Sequence, residues 1–171
     1  MDDEFNEEQH TAYHEAAHAV IGYRIDVEGY EISIVPNKEK GSVGYHAQEP
    51  WDLTEKSARK QIIIYLAGME ADRIAFNGMI PLGGDEDEEM ATFLRQYLSS
   101  GETLEMLRIE AMKIVRKNWK HISAVAEELQ NAKILCKEEW ELIVDWIDEK
   151  KNWKEKLQFF RMNDLPMKSN K

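Results

Sequence analysis

The chain carries one cysteine, Cys136, which rules out an internal disulfide framework and a cysteine-rich metal site. Among 171 residues there are only 4 prolines and 9 glycines, and no Gly/Ser linker, internal repeat or low-complexity block divides the chain. Long apolar runs are also missing. The longest, Ile62 to Met69, is about half of the roughly 18 residues needed to span a bilayer. Basic residues are in deficit, 22 against 33 acids, for a formal charge of -11. That balance argues against a nucleic-acid domain, whose footprint would be a basic face, and disfavours anionic lipid. The opening Met1-Asp2-Asp3-Glu4 lacks the basic start and apolar core of a signal peptide. Together these absences point to a cytoplasmic protein in a reducing compartment, with neither nucleic acid nor a membrane as partner.

What is present is enough apolar material, 43% of the residues, for one core. Tyr13, Ala16, Ala17, Val20 and Ile21 fit a 3.6-residue period and predict a helix over about 7–23. Alternation from Tyr30 to Val35, stopped by Pro36, predicts a strand. A polar turn at Asn37–Lys40 and a return over Gly41–Gln48 would complete a hairpin. Asp52 or Thr54 can cap a helix from Glu55 to about Phe76, with Glu55 placed for a capping box after Asp52, and Asn77-Gly78 stops it. The loop 79–84 leads into the acidic cluster 85–89 and a helix to about Leu98. One long helix is predicted over 102–129, and another from Lys137 to Lys150 or beyond. The expected fold is α+β and predominantly helical, a single domain over 1–171 with a core of about 9–150, one small N-terminal β-hairpin or sheet, and loose polar ends at 1–9 and 163–171.

The strongest chemical signal is His14-Glu15-Ala16-Ala17-His18 inside the first helix. Histidines at i and i+4 share one helix face, about one turn apart, so both imidazoles can point at one ion. The intervening Glu15 can take a proton from a metal-activated water. This is the H-E-x-x-H pattern of zinc peptidases. A catalytic zinc site also needs a third ligand and an open position. No third His or Glu follows closely after His18, so that ligand must come from elsewhere in the fold. Two surface histidines on an amphipathic helix would be the plain alternative.

Thr11-Ala12-Tyr13-His14-Glu15-Ala16-Ala17-His18-Ala19-Val20 closely resembles the opening of the peptidase domain of FtsH-type zinc metalloproteases. The likeness continues through Ile32–Pro36 and Gly41–Tyr45, through Leu66-Ala67-Gly68-Met69-Glu70-Ala71-Asp72-Arg73-Ile74-Ala75-Phe76, and through Gly83–Thr92. It covers about residues 9–145, in the same order and with similar gaps. The resemblance implies a zincin-like helical peptidase fold and a zinc cofactor. It implies Asp87, four residues before Ala91, as third ligand, although composition alone does not separate Asp87 from its acidic neighbours. It also implies that Asp72, standing where the family carries a glutamate one methylene longer, supports a ligand histidine from behind the metal. The activity implied is zinc-dependent hydrolysis of peptide bonds in unfolded or flexible polypeptides, with a zinc-binding regulatory module of little or no catalysis as the alternative. Three departures stand out. Ala17 replaces a glycine of the metal motif. Asp85-Glu86 replace a neutral Ser-Asn pair. No phosphate-binding Gly-Lys loop and no membrane segment is found, so ATP-driven unfolding would have to come from a separate ATPase, and a homo-oligomer is the other implied partner.

The weaker features are read more plainly. His46, on the second strand, lies near the expected cleft, where it can hydrogen-bond a substrate carbonyl or be an ordinary strand histidine. His10 and His121 read as surface residues. Strand Tyr30–Val35 is a candidate free edge for pairing with an extended peptide. Trp119, Trp140, Trp146 and Trp153 read as core or contact aromatics, and Cys136 as an inert, partly buried thiol.

Overall fold

Helix α1, Glu7–Arg24, begins where Asn6 accepts a hydrogen bond from the Gln9 backbone N–H, and Glu7 and Glu8 in its first turn suit the helix dipole. The computed structural model describes residues 6–36, 43–48, 50, 52–78, 85–99 and 101–163. The predicted turn at 37–40, the start of the returning strand at 41–42, the loop 79–84 and the tail 164–171 lie outside these residues.

After α1 the chain forms β1 (Gly29–Ser33) and β2 (Tyr45–Gln48), then α2 (Glu55–Ala75) and α3 (Asp85–Leu94) with a 3-10 turn over Arg95–Tyr97. It continues through α4 (Leu104–Lys117), α5 (Trp119–Ala132), β3 (Ile134–Cys136), α6 (Lys137–Asp148) and α7 (Trp153–Asn163). The fold is predominantly helical α+β with one small antiparallel sheet, as the sequence predicts. At α2, Thr54 is the cap and accepts from the Ser57 N–H, while Asp52 accepts from the Thr54 hydroxyl. Asn77 and Gly78 then take positive φ and end the helix.

Several expectations are corrected. The predicted long helix 102–129 is two helices broken at Asn118. The Asn118 side chain donates back to the Ile114 carbonyl at 2.9 Å and accepts from Arg24 Nε at 2.9 Å. An asparagine that satisfies a helix end with its own amide competes with continuing the helix. Strand β3 is new, and it makes β1 the central strand in the order β2-β1-β3. Ile32 pairs with His46 on one side and with Leu135 on the other. The Tyr30–Val35 segment is therefore not a free edge. The helix expected from Lys137 to Lys150 or beyond ends at Asp148, and α7 follows it as a separate helix. His10 is buried at 6% exposure, and the His121 side chain, at 12%, bonds Asp148, so neither is a surface residue.

The core lies where α1 packs against α2 and α5, and α2 against α4 and α3. Ile21, Ile62, Leu66, Leu107, Ile122, Leu129 and Ile143 are fully buried there, each worth about 1.5–3 kcal/mol of burial. Ala17 is also fully buried, so the core accommodates its methyl. Trp140 is fully buried, Trp119 stacks on Tyr13 at 5.3 Å, and Lys151 lies over Trp146. Among the described residues no helix is long and apolar enough to cross a membrane.

Candidate metal centre

Helices α1 and α2 pack in opposite directions, and their contact face carries the site. On α1, His14 and His18 lie one turn apart with ring centroids 4.5 Å apart. Each ring is fixed from behind through Nδ1. The His18 Nδ1–H donates to the Ile64 carbonyl at 2.8 Å, and the His14 Nδ1–H donates to Asp72 Oδ2 at 2.8 Å. With both Nδ1 atoms serving as donors, each Nε2 presents its lone pair forward. Those two atoms converge on Asp87 Oδ2 of α3, at 2.7 Å from His14 and 3.1 Å from His18.

Gly68 of α2 makes this approach possible. A Cβ there would fall 2.6 Å from His18 Cε1 and 2.8 Å from both Cε1 and Nε2 of His14. Gly44 does the same on the other side, where a Cβ would meet Thr11 Cγ2 at 2.5 Å and Glu15 Oε1 at 3.0 Å. Glu15 is 8% exposed. Burial pushes its carboxyl upward, against the pull of the His18 and His14 rings. For Asp87 burial acts in the same sense but loses: the two imidazoles hold its carboxyl well below the usual range. Burial would lower His14, yet hydrogen bonds to Asp72 and Asp87 raise it well above its ordinary value.

The donor set fits a divalent cation. Two nitrogen lone pairs and a carboxylate oxygen at hydrogen-bond separation repel one another unless a proton or cation lies among them. His14, His18 and Asp87 bring their ligand atoms within 4.8 Å of one another, and two imidazoles with one carboxylate form a zinc donor set that leaves a fourth position open.

The structure thus brings together His14, His18, Asp87, Asp72 and Glu15. Of the acidic cluster, Glu86, Glu88 and Glu89 are exposed and Asp87 turns inward; the Asp85 side chain is not among those described. His46 stacks 6.4 Å from the His18 ring. Burial, with His18 beside it, pulls its imidazole down to about 3. Sequence reasoning missed His10, Gly68 and the Ile64 carbonyl. His10 was findable, since His10, His14 and His18 repeat at i, i+4 and i+8. The Ile64 contribution is a backbone atom and leaves no residue-type signature.

The family model for Peptidase family M41 matches residues 3–101. The ATP-dependent zinc metalloprotease FtsH 2 of Thermoanaerobacter is 31% identical over 170 residues, covering 81% of this chain and 32% of that protein. The ATP-dependent zinc metalloprotease FtsH 4 of Synechocystis is 35% identical over 98 residues, 54% of this chain and 15% of that protein. A similar protein from Acaryochloris marina, the ATP-dependent zinc metalloprotease FtsH, is 31% identical over 96 residues, 53% of this chain and 14% of its own length. The chain spans at most about a third of the length of these relatives. With its metal-motif helix, its backing helix and its inward aspartate all inside the matched span, the chain belongs to Peptidase family M41.

Proposed function

We propose that this chain is a zinc-dependent metalloendopeptidase. His14, His18 and Asp87 hold the zinc, Asp72 orients His14, and Glu15 is the general base. The observation that carries this reading is the convergence of the His14 and His18 Nε2 atoms on Asp87 Oδ2, with each Nδ1 tied back to α2. When bound, zinc supplies Lewis acidity, which makes hydroxide available near pH 7 and polarises a scissile carbonyl.

The chain's own residues do the rest. Glu15 accepts the proton of the attacking water at its carboxylate and passes it to the departing amine. Its burial beside two imidazoles keeps that proton transfer away from bulk water. A substrate in extended form would add to the outer edge of β2, which has no strand partner among the described residues, since β1 is paired on both sides. His46 on β2 stands beside His18. Substrates on this reading are unfolded or flexible polypeptide segments, with any unfolding power supplied by an ATPase. The lone Cys136 suits work in a reducing, cytoplasmic compartment.

The test is metal analysis paired with hydrolysis of an unfolded casein-type substrate. Wild type should carry one zinc per chain and cleave, and Glu15→Gln should keep the zinc while losing at least about a hundredfold in rate. Stoichiometric zinc without cleavage in wild type would move the protein to the reading as a metal-binding regulatory module. Undiminished activity in Glu15→Gln would remove Glu15 from its role.

A further inference from the structure

His10 takes no part in the chemistry described above, yet it is built into the site. It is 6% exposed and packs between the Phe76 ring, 5.8 Å away, and the His14 ring, 6.0 Å away. Its Nε2 lies 3.0 Å from Asp72 Oδ2, the same oxygen that accepts the His14 Nδ1–H at 2.8 Å. The His10 contact is a close polar approach that lacks the alignment of a hydrogen bond, unlike that of His14. Asp72 is 3% exposed, and its other oxygen, Oδ1, has no hydrogen-bond partner among the described residues. Among the described residues, the polar contacts of this carboxylate are the two histidines, one from the ligand's own turn of α1 and one from the turn before it.

A buried carboxylate held at one atom by one donor can pivot about that bond. A second polar contact from a different turn restricts the pivot, and with it the swing of the imidazole the carboxylate supports. We infer that His10 is a positioning residue: by holding Asp72 from the preceding turn of α1, it keeps the His14 ring aimed at Asp87 and so tightens the grip on zinc. This rests on the reading of His14, His18 and Asp87 as the zinc site. Groups that directly support a ligand histidine typically change metal affinity 10- to 100-fold. His10 acts one contact further out and with poorer alignment, so about threefold to tenfold is expected.

The probe is Zn2+ itself, in competition with a chromophoric chelator, together with the visible absorption of the Co2+-loaded full chain. His10→Phe, which keeps the ring volume and loses the donor, should weaken zinc binding about threefold to tenfold and shift the Co2+ bands. His10→Gln, whose amide reaches Asp72, should recover most of both. Asp72→Asn should weaken binding more than His10→Phe does, and adding His10→Phe to it should cost nothing further. Should His10→Phe not fold, His10→Asn, too short to reach, carries the same comparison with His10→Gln. Equal zinc affinity and spectra in wild type and His10→Phe would overturn the inference, as would a full His10→Phe penalty in the Asp72→Asn background. A second zinc per chain lost with His10 would also overturn it, by making His10 a ligand. A wild type that binds no zinc, or keeps it after His14 and His18 are replaced, would instead sink the metal-site reading itself.

Discussion

Replacing Gly68 with alanine sets two opposed effects against each other, and the structure says which property each one moves. Gly68 lies inside α2, where alanine is favoured by about 1 kcal/mol over glycine. The added methyl would stand 2.6 Å from His18 Cε1 and 2.8 Å from His14 Cε1 and Nε2. Carbon contacts need about 3.5 Å, so each ring must yield by roughly 0.7 Å or more. Neither ring is free to swing, because Ile64 and Asp72 hold them through Nδ1. Overpacking of this kind costs about 1–3 kcal/mol, and the helix-propensity gain offsets part of it. Metal-free stability should therefore change by no more than about 2 kcal/mol. Metal affinity has no such offset. Ligand atoms must sit within about 0.2 Å of their ideal distances, so the displaced nitrogens should cost ten- to a hundredfold in zinc binding, about 1.4–2.7 kcal/mol. Thermal unfolding with and without Zn2+, alongside chelator competition, separates the two quantities. Zinc affinity within twofold of wild type in Gly68→Ala would refute the claim that α2 is shaped around these imidazoles.

Other outcomes are expected away from the metal. Trp140 is fully buried, and its indole N–H has no partner among the described residues; Trp140→Ala should cost about 3–5 kcal/mol by urea unfolding, whereas Trp140→Phe, which also removes an unsatisfied donor, should cost far less. Lys133 ends α5 at φ 69, a left-handed position, so Lys133→Gly should raise stability by about 0.5–1 kcal/mol; a loss would show that strain at this cap is negligible. Burial pushes the Cys136 thiol up to about 12. It stays protonated where the thiol of an unfolded chain, near 8.5, ionises, so unfolding releases a proton above that pH and stability falls as pH rises from about 8.5. Iodoacetamide at pH 8 should accordingly label Cys136 far more slowly than a peptide thiol.

Much of this was legible in the sequence because local rules were sufficient. The 3.6-residue period and the caps at Thr54 and Asn77-Gly78 fix α1 and α2, and i, i+4 spacing puts His14 and His18 on one face. Asp87 was not legible in that way, since one acid among five neighbours has no distinguishing period. The family resemblance singled it out, and its inward turn on α3 separates it physically from exposed Glu86, Glu88 and Glu89. Strand β3 is three residues long and too short to show alternation, so the central place of β1 was hidden with it. The break at Asn118 depends on Arg24, ninety-four positions away in the chain, and the burial of His10 depends on Asp72 of α2 and on Phe76 at the end of that helix.

The two helices that build the site share one repeat. On α1 the histidines fall at 10, 14 and 18; on α2 their supports fall at Ile64, Gly68 and Asp72. Because the helices run in opposite directions, His18 meets the Ile64 carbonyl, the His14 and His18 rings both face Gly68, and His14 with His10 meets Asp72. Four residues advance any α-helix by about 6 Å, so equal spacing on both partners keeps the contacts in step along the interface. The tolerance is small. A slip of one residue between Gly68 and Asp72 would turn the carboxylate by about 100° around the α2 axis, away from both histidines, while leaving the metal motif on α1 unaltered. The H-E-x-x-H pattern therefore specifies only half of the centre. Its aim is set by a glycine, a backbone carbonyl and an aspartate whose meaning lies in their register with α1 and not in their residue types.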